Sequence, residues 1–180
     1  MDSATLLLRK ATPTDVGPLL QLSRQTFMEA FAAQNKPENM AAYMEDAFTE
    51  AQLAAELRDE ASTFFLVFSG NELKEGNLVG YAKLRTSKMQ PALADYRAIE
   101  IQRIYVLERM KGRKIGKLLM QTCLDTAQSQ GFEVVWLGVW EHNPAAIAFY
   151  QRWGFAQFSS YIFHFGDEDQ TDLLFRKFLR

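Results

Sequence analysis

The chain has 180 residues, 48% of them hydrophobic and 13% aromatic, and its formal net charge is −2. This composition supports a substantial core and excludes an intrinsically disordered chain, and the acidic balance disfavours a general nucleic-acid-binding surface. The single cysteine, Cys123, excludes an internal disulfide and, with only two histidines, disfavours a zinc site. We therefore expect a reducing, cytoplasmic compartment and no bound metal.

No segment has the pattern of a membrane anchor or an export signal. The apolar run from Val134 to Trp140 is too short to span a bilayer. Met1–Lys10 lacks a basic region followed by a long apolar stretch, so we expect no secretory signal. With no visible linker or repeat, residues 1–180 are predicted to form a single domain with no membrane partner.

The first third of the chain predicts one strand and two helices. Thr5–Arg9 has the composition of a short strand. Pro13-Thr14-Asp15 is typical of a helix start, and apolar residues then recur at helical spacing as far as Phe27. Pro37 is expected to break this pattern, and a second helix is predicted over Thr49–Asp59.

The middle of the chain predicts three strands. Thr63–Ser69 and Leu78–Thr86 flank glycine and asparagine turn signals, which is typical of a hairpin. A loop over Ser87–Tyr96 follows. Ala98–Leu107 is rich in β-branched and aromatic residues and is predicted to be a third strand.

The last part of the chain predicts two helices and three strands. Apolar residues repeat every four positions from Ile115 until Gly131, which predicts an amphipathic helix with Cys123 in its buried stripe. Val134–Val139 is apolar on both faces and should run parallel to the preceding strand. Asn143-Pro144 should start a short helix. The predicted final strands are Phe155–Phe165 and Thr171–Leu179.

A basic cluster precedes the amphipathic helix. Five of the 20 basic residues lie within nine positions, where uniform spacing would put one. They are Arg109, Lys111, Arg113, Lys114 and Lys117. The unpaired N–H groups and the dipole of a helix start favour an anion, and Gly112 and Gly116 allow close approach of the backbone. The pattern predicts a phosphate site, although it matches neither a P-loop nor a dinucleotide-binding motif.

Several stretches of the chain resemble the GNAT superfamily of acyl-CoA-dependent N-acyltransferases. They are Glu100–Val106, Lys111–Gly116, Asn143–Tyr150 and Trp153–Phe155. The family's phosphate turn usually has the form [Q/R]-x-x-G-x-[G/A]. Here Lys111 stands at its first position and Lys114 at its first glycine. The strand sequence E-I-Q-R-I-Y-V-L and the late G-D-E-D-Q-T-D segment further resemble the bacterial polyamine acetyltransferase (PaiA-like) branch.

The resemblance implies a fold and a cofactor site. The fold is α/β, with a mixed, mostly antiparallel sheet of about seven strands, a central splayed parallel pair and about four flanking helices. Acetyl-CoA is the implied co-substrate, with its pantetheine arm between the splayed strands. The implied cofactor-binding residues are Ile104, Tyr105, Val106, Lys111, Gly112, Arg113, Lys114, Ile115, Gly116, Lys117 and Asn143.

The resemblance also implies catalytic roles. Tyr150 corresponds to the family's general acid, and a phenol with a pKa near ~10 is protonated at neutral pH and can protonate the leaving thiolate. Glu100, on the predicted strand, is the candidate base; by alternation it should share a face with Gln102 and Ile104. Tyr150 could instead pack against neighbouring aromatic rings. Glu100 could instead be a solvated strand residue or form an ion pair with a residue such as Arg97.

The acceptor is the least determined part of the expected function. Asp167, Glu168, Asp169 and Asp172 are expected on the last turn, where they are either simply solvated or attract a cationic amine. The predicted acceptor is a small cationic amine such as spermidine or spermine. A peptide N-terminus, an amino acid, an aminoglycoside, or a non-catalytic acyl-CoA-binding role are alternatives. The final strands could pair two copies in a homodimer, and no nucleic-acid partner is expected.

Overall fold

The computed structural model describes residues 5–179, so residues 1–4, part of the segment expected to lack an export signal, lie outside the description. The strands are β1 (Leu6–Lys10), β2 (Ser62–Ser69), β3 (Leu78–Arg85), β4 (Ala98–Val106), β5 (Val134–Trp140), β6 (Ala156–Phe165) and β7 (Glu168–Phe178). The α-helices are α1 (Val16–Phe31), α2 (Pro37–Ala47), α3 (Glu50–Arg58), α4 (Ile115–Ser129) and α5 (Pro144–Arg152).

The seven strands form one mixed sheet in the order β1-β2-β3-β4-β5-β7-β6. Every neighbouring pair is antiparallel except β4 and β5, which are parallel. The predicted hairpin of β2 and β3 and the predicted parallel pair are therefore confirmed, as is the α/β class.

The main core lies between the central strands and helices α1, α3 and α4. The buried stripe of α4 contains Ile115, Leu119, Cys123 and Ala127, each at most 1% exposed. These side chains pack on the inner strands β2 to β5, because a spacing of four residues places them on one face of the helix. Cys123 is therefore a core residue, and burial raises the pKa of its thiol to about 12.

One helix more than expected is present. Helix α1 ends at Phe31, before Pro37, but Pro37 itself begins a further helix, α2, at the first helical position, where its missing N–H costs no hydrogen bond. Helix α2 joins α1 and the end of β6 in a second, aromatic core containing Phe27, Met40, Phe48 and Phe165. This small core covers the sheet beside the last strands.

Candidate active site

The two parallel strands at the centre of the sheet separate after three residue pairs. The ladder between β4 and β5 runs from Ala98 and Val134 to Glu100 and Trp136 and ends there. Beyond it, β4 pairs only with β3, through Ile104, Tyr105 and Val106, while β5 pairs only with β7. The free edges of both strands therefore border a gap, which is the splayed pair expected from the sequence.

A cavity of about 830 Å³ follows this gap. Of the residues expected to bind the cofactor, those that line it are Ile104, Tyr105, Val106, Lys111, Gly112, Lys114, Ile115, Gly116, Lys117 and Asn143. Glu100 and Tyr150 line it as well. The fold thus brings together, around one cavity, all the predicted site residues except Arg113.

The turn before α4 is shaped by two left-handed residues. Gly112 has φ 80° and Lys114 has φ 65°, the only non-glycine residue with a positive φ among residues 5–179. Lys114 thus adopts a left-handed conformation that a glycine reaches more easily, which is consistent with the glycine usual at this position of the family pattern. The first N–H groups of α4 are left without helical partners beside the cavity.

The basic side chains around this turn divide into two groups. All five are exposed. Lys111, Lys114 and Lys117 line the cavity, whereas Arg109 and Arg113 do not. Lys111 also forms an ion pair with Glu108, three residues earlier. An anion in the cavity would therefore meet lysines rather than the two arginines.

Two buried polar atoms beside the gap have no hydrogen-bond partner among the described residues. They are Oε1 of Gln102 on β4 and Nε1 of Trp140 on β5. Both residues line the cavity. Since buried polar groups without partners are costly, this pair fits a polar ligand between the strands. An acyl-CoA chain carries amide groups of the kind they lack.

Asn143 and Tyr150 occupy the two ends of α5. The Asn143 side chain accepts a hydrogen bond from the N–H of Ala146 at 3.2 Å, so it caps the helix while also lining the cavity. Tyr150 is 9% exposed and packs against Phe149 and Phe155. Burial raises the pKa of Tyr150, which keeps its hydroxyl protonated at neutral pH.

Glu100 lies at the point where the strands part, 5% exposed. Its carboxylate forms an ion pair with Arg85 on β3, not with Arg97 as considered above. The expected alternation is wrong, because Gln102 is bulged out between Ile101 and Arg103. The bulge reverses the faces of the following residues, so Glu100 shares its face with Arg103 rather than with Gln102.

The acidic residues near the last turn are mostly engaged elsewhere. Asp167 accepts hydrogen bonds from Lys36 at 3.0 Å and from Asn39 at 2.8 Å, and Lys36 also pairs with Glu168 at 3.1 Å. Asp169 pairs with His164. None of these acids lines the cavity. The turn itself is only Gly166-Asp167, so the expected four-acid turn is wrong: its other members belong to strand β7.

Asp172 is the exception, and it does line the cavity. It is half-buried on β7, opposite Trp140 on β5 and Tyr161 on β6, whose hydroxyl donates to it at 3.0 Å. Burial raises the pKa of its carboxyl group. The sequence pattern gave no reason to separate Asp172 from the other acids, because only the strand pairing turns it toward the cavity.

The end of the cavity beyond Glu100 and Asp172 is aromatic. Its lining includes Phe27, Phe31, Tyr43, Phe48, Trp140, Tyr161, Phe163 and Phe165. Both histidines lie outside the lining. Within residues 5–179 no group of three or more potential metal ligands is present. In the same range, no helix combines the length and apolar character needed to cross a membrane.

Comparisons with known proteins agree with this geometry. The acetyltransferase (GNAT) family matches residues 24–155. An uncharacterized N-acetyltransferase of Lactobacillus delbrueckii subsp. lactis, in the pepI 3′ region, is 34% identical over 165 residues, covering 92% of each chain.

Two solved structures have a similar fold at low identity. The PaiA N-acetyltransferase of Thermoplasma acidophilum, in complex with coenzyme A, has a TM-score of 0.78 at 19% identity and covers 97% of this chain and 99% of its own. The ribosomal-protein-S18-alanine N-acetyltransferase of Escherichia coli has a TM-score of 0.69 at 15% identity and covers 97% and 94%. The family match spans most of the chain and includes the splayed strands, the turn before α4 and Tyr150. The chain therefore belongs to the acetyltransferase (GNAT) family and is an N-acetyltransferase.

Proposed function

We propose that residues 1–180 form one acyl-CoA N-acyltransferase domain that transfers an acetyl group from acetyl-CoA to a primary amine. The amine attacks directly while both substrates are bound, without a covalent enzyme intermediate. The acceptor is a small cationic amine such as spermidine or spermine. One observation carries the proposal: a single cavity joins a helix N-terminus, two free strand edges and, beyond them, a pair of carboxylates.

Acetyl-CoA supplies the acetyl thioester, and the chain supplies a matching site. The free edge of β4 at Ile104–Val106 offers backbone groups for the pantetheine arm. The N–H groups from Lys111 to Lys117 would donate hydrogen bonds to the pyrophosphate, with added attraction from the lysines that line the cavity. Asn143 contributes its side-chain N–H groups, since its Oδ1 already caps α5.

The proton steps belong to Glu100 and Tyr150. Glu100 stands where the strands separate, oriented by its ion pair with Arg85, and its carboxylate can accept the proton of the amine through water. Tyr150 lines the other side of the cavity and donates its proton to the leaving thiolate. Its raised pKa keeps that proton available over the working pH range.

Two features support a cationic acceptor. Asp172, which forms no direct ion pair among residues 5–179, supplies negative charge where the acceptor would enter, and aromatic walls can stabilise an ammonium group. The similar fold of the PaiA enzyme supports the polyamine class. The similar fold of the S18-alanine N-acetyltransferase supports the main alternative, a protein α-amine.

Release of coenzyme A across a panel of amines tests the proposal. The panel contains spermidine, spermine, an amino acid, an aminoglycoside and peptides with free N-termini, and acetyl-CoA binding is measured separately by calorimetry. We expect the highest kcat/KM for a polyamine. A higher kcat/KM for a peptide would show that the acceptor is a peptide N-terminus and not a polyamine. Binding of acetyl-CoA without turnover of any amine would favour a non-catalytic binding module.

A further inference from the structure

A lysine of the chain lies against aromatic rings at the end of the cavity beyond Glu100 and Asp172, which we call the acceptor end. Lys88, in the exposed loop between β3 and β4, places its ammonium 5.1 Å from the ring centre of Tyr161 and 5.8 Å from that of Trp136. Lys88 also lines the cavity. At these distances the faces of the rings attract a cation. The surface thus already holds one ammonium group, on an exposed loop.

The same surface carries a carboxylate that forms no direct ion pair, although the charge of Lys88 acts on it. Asp172 receives a hydrogen bond from the hydroxyl of Tyr161 at 3.0 Å. Among residues 5–179 no basic side chain lies within ion-pair distance of it. By contrast Glu100, the other carboxylate at this end, is paired with Arg85. Asp172 therefore has an unused capacity to bind a cation.

A glycine opens this surface to the cavity. Gly138 on β5 lines the cavity, and a Cβ there would lie 3.8 Å from Oδ2 of Asp172 and 3.8 Å from a ring carbon of Tyr161. A larger side chain at position 138 would fill the space in front of both groups. The absence of a side chain leaves room for a ligand in contact with Asp172 and Tyr161.

We propose that Asp172 and Tyr161, which both line the cavity, form a subsite for an ammonium group of the acceptor that does not react, and that Lys88 competes with the acceptor for it. The inference rests on the proposed function and narrows it to acceptors with at least two amino groups. The carboxylate and the Tyr161 ring bind the second ammonium, while the first amine faces Glu100. Lys88 leaves the subsite when the acceptor enters.

The position of Asp172 in the sheet supports a remote rather than a reacting ammonium. Asp172 lies on β7, which is separated from β4 by β5. Asp172 is paired with Trp140, four residues beyond Trp136, the β5 partner of Glu100. Two strand spacings and four residues along a strand put the two backbones roughly 16 Å apart, a distance that side chains reaching into the cavity shorten. Glu100, on β4 itself, is adjacent to the bulge and to the free strand edge. A diamine can bridge such a separation, whereas a monoamine engages one carboxylate or the other.

The first test compares two variants with the same change of charge on the same strand. Asp172→Asn should raise the KM for spermidine about tenfold with kcat within about twofold, because a charged hydrogen-bonding partner is lost away from the reacting amine. Asp169→Asn, outside the cavity, should leave both constants unchanged. With propylamine, which has one amino group, Asp172→Asn should have no effect on KM.

In the second test the KM for spermidine should change in the opposite direction. Lys88→Gln should lower the KM for spermidine about threefold, since the subsite is no longer occupied by the chain itself. Lys74→Gln removes the same charge from an exposed loop residue outside the cavity and serves as the control. Because Lys88 is exposed, its substitution tests the subsite without disturbing the core.

Calorimetric titration of spermidine into each folded variant separates this inference from the proposed function. Weaker binding to Asp172→Asn and tighter binding to Lys88→Gln support the subsite even if spermidine is not turned over. Equal spermidine affinity for Asp172→Asn and Asp169→Asn would overturn it. So would a fall in kcat for Asp172→Asn at unchanged KM, which would place Asp172 at the reacting amine.

Discussion

The backbone conformation of Lys114 is strained for a lysine and would not be strained for a glycine. Its φ of 65° is unfavourable for a residue with a Cβ atom. Lys114→Gly and Lys114→Ala both remove the charge, but only glycine relieves the strain. We expect Lys114→Gly to be more stable than Lys114→Ala by about 1 kcal/mol in urea denaturation. Equal stabilities would show that the left-handed conformation carries no cost here.

Tyr150 permits a test of proton donation that keeps its packing. Tyr150→Phe preserves the ring contacts with Phe149 and Phe155 and removes only the hydroxyl. We expect kcat to fall well over tenfold, since acid–base groups typically contribute about 10²–10⁴-fold, while acetyl-CoA affinity persists. Tyr96→Phe, an exposed ring outside the cavity, is the matched control. An unchanged kcat would exclude Tyr150 from a rate-limiting proton transfer.

At this scale, local sequence identified some site residues and not others. Asn143 and Tyr150 belong to one contiguous motif on a short helix, so their places around the cavity were predictable. The partner of Glu100 was not, because Arg85 meets it only through the register of β3 with β4. Asp172 was grouped with the other acids for the same reason: its orientation depends on pairing with β5 and β6.

At the scale of the element, two basic residues near the start of α4 differ in their position relative to the cavity. Lys117 lines the cavity and Arg113 does not, although both are exposed and lie four residues apart. We expect Lys117→Glu to weaken acetyl-CoA binding about tenfold and to reduce its salt dependence, and Arg113→Glu to have an effect of less than about threefold. Calorimetry at two ionic strengths measures both. A larger effect of Arg113→Glu would place the phosphates outside the turn.

Element prediction succeeded where a pattern is local and regular. The four-residue repeat of α4 and the apolar run of β5 were sufficient to predict both elements and the parallel pairing between them. The presence of Pro37 does not by itself predict helix α2, because a proline ends a helix when it lies in the interior but fits at the first turn. The bulge at Gln102 could not be predicted, because the sequence of this apolar-rich strand shows no break in its pattern there.

The β6–β7 turn docks on α2 through a contact that requires glycine. Gly166 has φ 62°, and a Cβ there would overlap with the Asn39 side chain at Oδ1. Asn39 is buried and donates to Asp167 at 2.8 Å, so it cannot move without losing that bond. We expect Gly166→Ala to lower the free energy of unfolding by about 2–3 kcal/mol.

Gly76→Ala is the control for this substitution, since a Cβ at Gly76 meets no atom within 4 Å. It should change stability by less than about 0.5 kcal/mol. Because the second aromatic core lies beneath the same contact, Gly166→Ala should also raise the KM of the acceptor more than that of acetyl-CoA. Similar unfolding curves for the two variants would contradict the proposed docking role of the turn.

For the whole molecule, a buried ionic cluster joins the helical layer to the sheet. Glu56 on α3 pairs with Lys83 on β3 at 3.1 Å and with Arg103 on β4 at 2.7 Å. Lys83 is 3% exposed, and burial lowers its pKa to about 8. Arg103 also lines the cavity and lies over the ring of Phe48. The cluster therefore fixes the acceptor end relative to the core, at a desolvation cost that apolar residues would avoid.

The acid stability of the fold depends on a second ion pair, far from the cavity. Asp15, before α1, accepts hydrogen bonds from Arg9 on β1 at 2.7 and 2.8 Å and from the N–H of Thr12 at 2.7 Å. The Arg9 hydrogen bonds, first among the causes, lower the pKa of Asp15 to about 2. Since the unfolded value is near ~3.9, the unfolded chain binds more protons between these values, and stability falls as the pH falls.

Asp15→Asn removes this contribution. Above pH ~4 the variant should be less stable than the wild type by about 1 kcal/mol, a figure reduced from the full pKa shift because the Arg9 side chain is 31% exposed and partly screened by solvent. The difference should shrink as the pH falls from about 4 to about 2, where Asp15 becomes protonated in the folded state too. Urea denaturation at pH 7, 4, 3 and 2 measures it, with Asp95→Asn as a control for the loss of a carboxylate. A stability difference that stays constant over this range would show that Asp15 stabilises the fold through its shape and neutral hydrogen bonds, and not through its charge.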